Sequence, residues 1–156
     1  MKSNSVDLDK AKGYAFRLLA IRQRSQKELF ERLTRKKFSQ TAIDKTIDYL
    51  KEIDYINDRR FCEDWILARL KNCFGLRRIR FKLKQKGIDK ETIESVLSAN
   101  TETIASAGSI LDFAKLKNKK LLRLIRDPIK IKRRLYGFFL RRGFSPEEIL
   151  EAISKL

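Results

Sequence analysis

Apolar residues recur at helical spacing along almost the whole chain. Leu29 and Leu33 with Phe30, then Ile43, Ile47 and Leu50, then Phe61, Trp65 and Ala68, then Leu135, Phe139 and Leu140 all follow the three-to-four residue period. No stretch of six or more residues alternates polar with apolar in the manner of a strand. The pattern predicts an all-α chain.

The pattern also repeats. Leu33, Phe38 and Ser39 align with Leu83, Ile88 and Asp89, and again with Phe139, Phe144 and Ser145, at offsets of 50 and then 56 residues. Each copy has an apolar residue four positions earlier (Leu29, Ile79, Leu135) and an Ile further on (Ile43, Ile93, Ile149). Periods of this size mark supersecondary units that stack on their neighbours.

Each copy reads as a helix stop followed by a helix start. Gly87 and Gly143 stand where one helix ends, and glycine accepts the left-handed conformation there at little cost. Ser39, Asp89 and Ser145 are N-caps for the next helix, with Phe38/Ile43, Ile88/Ile93 and Phe144/Ile149 as hydrophobic staples. In the third copy Pro146 and Glu148 complete a capping box on Ser145. The first copy has Lys37 where the others have glycine, at a cost of about 1 kcal/mol in left-handed geometry, so that turn is expected to differ.

Further starts are Ser25 with Glu28 as a capping box, Asn57 with an Ile56/Phe61 staple, and Asp127 before Pro128. These signals place helices near 6–21, 26–37, 40–52, 58–72, 76–86, 90–99, 102–117, 128–142 and 146–155, with a longer connection over 118–127. The result is three three-helix repeats in tandem, divided as 1–56, 57–100 and 101–156.

Composition narrows the function. The 156 residues carry 37 Lys or Arg against 20 Asp or Glu, a net charge of +17, and no His. Without His, the usual general base and the Ser-His-Asp, Cys-His and HExxH arrangements are all missing. No GxGxxG or GxxxxGK[ST] phosphate loop occurs. Cys62 and Cys73 supply only half of a tetrahedral zinc shell and are read as small buried or idle side chains. The polar N-terminus does not resemble a signal peptide, and no apolar run approaches a membrane span. The expectation is a soluble, cytoplasmic, non-enzymatic protein without cofactor or metal.

The charge is concentrated. Arg69 to Lys86 holds eight basic residues and no acidic one, and Lys115 to Arg142 holds twelve against Asp127 alone. Arg78/Lys82 and Arg80/Lys84 lie four apart, off the Ile79/Leu83 line, so they face away from the core. A solvated basic face is the plain alternative to a phosphate-facing surface. Trp65 and Phe61 read as core, whereas Phe81 lies on the basic helix and off its apolar line.

Taken together, Arg24–Leu29, Tyr55–Phe61, Phe74–Ile79 with Leu83–Ile88, and Lys132 through Phe144 resemble the RecX family, bacterial regulators of the RecA recombinase. The resemblance runs from about Ala11 to the C-terminus and is thin over Ile104 to Arg126. It implies an elongated, curved array of three three-helix repeats without catalytic residues. It implies binding to RecA and to RecA filaments on single-stranded DNA, suppressing strand exchange, ATP hydrolysis and coprotease activity.

A +17 array suits such a filament's long polyanionic groove. The expected filament- or DNA-facing residues are Arg77, Arg78, Arg80, Lys82, Lys84 and Lys86, extended by Lys130, Lys132, Arg133, Arg134, Arg141 and Arg142. The free protein is expected to be a monomer. The competing reading is a stand-alone helical module that grips DNA or RNA directly.

Overall fold

The computed structural model describes residues 2–106 and 109–156, and side chains over 6–104 and 109–156. The described residues form helices and connections, with no strand. Repeat 1 comprises α1 (Lys2–Ile21), α2 (Gln26–Arg35) and α3 (Gln40–Glu52). Repeat 2 comprises α4 (Asp58–Lys71), α5 (Leu76–Gln85) and α6 (Lys90–Ala99). A short α7 (Thr101–Ser106) leads to repeat 3: α8 (Ile110–Leu122), α9 (Pro128–Arg141) and α10 (Pro146–Ser154).

The single helix predicted over 102–117 is therefore two. Ser109 caps α8 by accepting from the Leu111 N–H at 3.1 Å, and α8 continues to Leu122, so the connection shrinks to 123–127. Residues 107 and 108 of that predicted helix lie outside the described residues.

The predicted caps form with the expected donors. Ser39 accepts from Ala42, Asp89 from Thr92, Asn57 from Arg60, and Asp127 from both Ile129 and Lys130. Ser145 and Glu148 close a full capping box. At Ser25 only half of the predicted box exists. Its hydroxyl accepts from the Glu28 N–H, but the Glu28 carboxylate is held by Arg22 and Lys86 instead.

Each repeat has its own core. Leu29, Leu33, Ile43 and Leu50 centre the first, Ile79, Leu83, Ile93 and Val96 the second, and Leu135, Phe139, Ile149 and Ala152 the third. Burying such a side chain contributes roughly 1.5–3 kcal/mol. Cys73, at the end of α4, belongs to the third core, so repeat 2 reaches into repeat 3. Both cysteines are buried, and burial pushes each thiol up to about 11, which keeps them protonated at neutral pH.

The two seams between repeats share one geometry. The N-terminal end of a repeat's middle helix sits against the C-terminal end of the next repeat's middle helix. At the first seam the Ser25 hydroxyl donates to the Lys86 carbonyl at 2.6 Å and Lys86 Nζ meets Glu28 at 2.6 Å. At the second, the Gly75 N–H donates to the Arg142 carbonyl at 2.8 Å, and Arg78 donates to the Arg141 carbonyl. Opposite ends of two helix dipoles thus face each other. Among the described residues, no hydrogen bond or ion pair links repeat 1 directly to repeat 3.

The middle-helix stops are alike in all three repeats. Lys37, Gly87 and Gly143 all have positive φ, at 63°, 84° and 87°, and their N–H groups bond back to Thr34, Lys84 and Leu140. The turn at Lys37 therefore does not differ, against the sequence expectation; the lysine takes the strained conformation. Glycine at 87 and 143 has a second cause. A Cβ at Gly143 would lie closer than 3.0 Å to the Arg78 backbone nitrogen, and one at Gly87 would meet Lys27 Cβ at 2.5 Å. Lys37 is exposed, and no neighbouring repeat crowds it among the described residues.

Glu28 makes the first seam responsive to acid. Burial pushes its carboxyl up, but hydrogen bonds from Arg22 and Lys86, helped by their charges, overcome this and hold it at about 2, against 4.5 when free. The stabilisation is fully present above pH 4.5 and is lost as pH falls towards 2. Nearby Asp58, which accepts from the Gln26 N–H at 2.8 Å, is raised by burial and contributes with the opposite sign. Urea unfolding of wild type and Glu28→Gln should therefore show the largest stability difference above pH 4.5, shrinking towards pH 2.

Candidate functional site

Basic residues along α4, α5, α8 and α9 line three grooves that adjoin one another. The first, about 220 Å³, lies between α4 and α5 and is walled by Trp65, Arg69, Phe74, Arg78, Ile79, Lys82 and Lys86. The second, about 510 Å³, crosses the seam and is walled by Arg77, Arg78, Phe81, Lys82, Leu140, Arg141, Gly143 and Phe144. The third, about 710 Å³, lies between α8 and α9 and is walled by Lys117, Leu121, Lys130, Arg133, Arg134, Gly137, Phe138 and Arg141. Arg78 and Lys82 border the first two, and Arg141 borders the last two.

The combined lining contains ten Lys or Arg and no Asp or Glu. Aromatic rings, more than carboxylates, hold these cations in place. Arg69 lies 4.8 Å from the Trp65 ring centre, Arg78 5.3 Å from Phe74, and Lys117 4.0 Å from Phe138. A cation against a ring face is fixed in position without losing its charge. The strip therefore keeps a positive potential that an ion-paired surface of the same composition would not have.

The twelve residues expected from sequence divide into groups. Arg77, Arg78, Lys82, Lys130, Arg133, Arg134 and Arg141 line the grooves, with Lys130 loosely paired to Asp127 at 3.9 Å. Lys86 lines the first groove, but its ammonium is taken by Glu28. Arg80 makes two bonds to Glu94, at 2.8 and 3.0 Å, and braces α5 on α6. Arg142 turns inward to the Asn72 and Cys73 carbonyls and lies between the rings of Phe74 and Phe138. Lys84 and Lys132 are exposed and border none of the three grooves.

Sequence reasoning left out Arg69 and Lys117. Arg69 had a signal, since it stands four residues after Trp65 on one helix. Lys117 had only its membership of the long basic run. Phe81, singled out by its position, is 57% exposed in the second groove, with Lys82 Nζ 5.8 Å from its ring centre. Among the described residues no helix is long and apolar enough to cross a membrane.

Comparison with known proteins agrees with this architecture. Models of the RecX first, second and third three-helix domains match residues 11–50, 57–97 and 113–153 in chain order. The chain is 36% identical over 152 residues to "Regulatory protein RecX" of Chlorobium phaeobacteroides (strain BS1), covering 97% of this chain and 96% of that one. It is 31% identical over 150 residues to the protein of the same name from Mycobacterium sp. (strain JLS), covering 94% and 81%. The crystal structure of RecX from Lactobacillus salivarius superposes with a TM-score of 0.73 at 24% identity, covering 97% of each chain, and shares the fold. Three domain matches in order and relatives aligned over nearly the full length place the chain in the RecX family of regulatory proteins.

Proposed function

We propose that this protein binds RecA and RecA filaments on single-stranded DNA through the three-groove strip, and that binding lowers recombinase, ATPase and coprotease activities. One observation supports the reading above others: ten cations border contiguous grooves across two repeats with no carboxylate among them. A strip of that kind matches a long acidic assembly better than a small ligand. The phosphates exposed in the filament supply salt-dependent, sequence-independent attraction. Protein contacts along the same length add avidity. Binding of this sort blocks by occupancy and requires no chemistry from the chain.

The test is ATP hydrolysis by the cognate recombinase on single-stranded DNA, titrated with this protein at two salt concentrations. The rate should fall with added protein, with a midpoint that moves to higher protein concentration at the higher salt. A rate unaffected at either salt would overturn the reading.

A second reading has its own support. Trp65, Phe74, Phe81 and Phe138 place an aromatic ring in every groove, and rings among cations are what a stand-alone single-strand binder uses to stack bases. Tight binding of naked nucleic acid at physiological salt, unchanged by the recombinase, would favour that reading.

A further inference from the structure

The seams imply a function for the middle-helix N-terminus that forms none. In repeats 1 and 2 the N-terminal end of the middle helix, at Ser25 and Gly75, is covered by the following repeat. The corresponding end in repeat 3, at Asp127, forms no seam among the described residues. Nor is this end purely polar. The end of α8, the connection and the first turn of α9 instead expose three large aliphatic side chains: Leu122 at 59%, Leu124 at 80% and Ile129 at 70%. Arg123 and Arg126, both exposed, stand beside them in the chain.

We propose that this tip is a docking surface for a second folded protein whose facing surface is apolar at its centre and acidic around it. The inference rests on the reading above, under which that protein is a recombinase protomer, and it separates a protein-binding end from the phosphate-binding strip. Two observations favour this occupant. Aliphatic side chains offer no ring face on which a base could stack, so nucleic acid does not account for them. The flanking arginines complement carboxylates, and Arg is enriched at protein–protein interfaces.

A second copy of this chain fits poorly. To receive the tip, repeat 1 would present the C-terminal end of α2, where both internal seams require glycine. That position is Lys37, and a Cβ at the matching Gly87 or Gly143 would press into the neighbouring middle helix. Lys36 and Lys37 would also meet the basic tip with like charge.

The test compares three proteins: wild type, Leu124→Ser with Ile129→Ser, and Arg123→Glu with Arg126→Glu. All four positions are exposed, and unchanged helical circular dichroism verifies each fold. Fluorescence anisotropy measures binding to labelled single-stranded DNA alone, and surface plasmon resonance measures binding to the recombinase filament on that DNA. Both variants should bind the filament about tenfold more weakly or worse, the loss expected when interface anchors are removed. Leu124→Ser with Ile129→Ser should bind naked DNA within about twofold of wild type, since aliphatic side chains neutralise no phosphate.

Filament binding by Leu124→Ser with Ile129→Ser equal to wild type would overturn the docking surface, whereas a wild type that does not bind the filament would overturn the reading beneath it. An equal loss of naked-DNA binding in that variant would reassign the tip to nucleic acid. Self-association of wild type in sedimentation equilibrium, abolished by the same substitutions, would reassign it to a second copy.

Discussion

Gly143→Ala is expected to lower the thermal midpoint by about 4–20 °C, while Lys37→Gly, at the equivalent position of repeat 1, should raise it by about 2–4 °C. The opposite signs come from one turn placed in two environments. At Gly143 the backbone has φ 87° and Arg78 of the preceding repeat lies against the missing side chain. An alanine there costs about 1–2 kcal/mol for left-handed geometry and about 1–3 kcal/mol for pushing the Arg78 backbone away. At Lys37 the same geometry is strained, with φ 63°, but no repeat lies against it, so glycine relieves about 1 kcal/mol without loosening any seam. Thermal melts followed by circular dichroism measure both. A Gly143→Ala midpoint within about 2 °C of wild type would mean that the second seam yields freely, and that repeats 2 and 3 are not held by close backbone approach.

Close packing at the second seam also fixes Gly75, whose φ of −72° any residue adopts. Its reason for being glycine is purely spatial: a Cβ would lie closer than 3.0 Å to the Gly143 carbonyl and the Phe144 nitrogen. Ser25, its counterpart at the first seam, keeps a side chain and uses the hydroxyl to bond Lys86. The first seam is thus polar and ionic, and the second is close-packed, with Cys73 buried across it.

The helices and repeats were readable because local chemistry writes them into the chain. Caps at Ser39, Asp89 and Ser145 act within three residues of themselves, and the apolar period needs no knowledge of neighbours. The seams were not readable in that way. Gly143 carried a local signal for left-handed geometry, which concealed the close approach of Arg78, 65 positions earlier. The basic helix shows the same limit. Residues two positions apart on a helix point about 200° apart, so spacing separates Arg80 from Arg78 and Lys82. It does not reveal that the face holding Arg80 meets Glu94, whereas Arg78 and Lys82 border grooves without a carboxylate. Which cations are neutralised depends on tertiary partners, and a count of lysines and arginines contains no trace of them.

That distinction can be tested by moving the same loss of charge between faces. Replacing Arg77, Lys82, Arg133 and Arg134 together by Gln removes four positive charges from the strip and leaves both seams intact, since none of the four bonds across one. Replacing Lys84, Lys90, Lys119 and Lys132 by Gln removes the same charge from exposed positions that border none of the three grooves. If the strip meets phosphates, each lost contact flattens the dependence of log K on log salt by about 0.7 on a single strand, so four flatten it by about 3. Affinity at 150 mM salt should then fall about 10²-fold for the strip variant. The control should lose far less, because exposed charges further than a Debye length of about 8 Å from the bound phosphates are largely screened. Equal losses in the two variants, with equal changes in slope, would mean that the +17 net charge acts as a whole and that the grooves have no special part in binding.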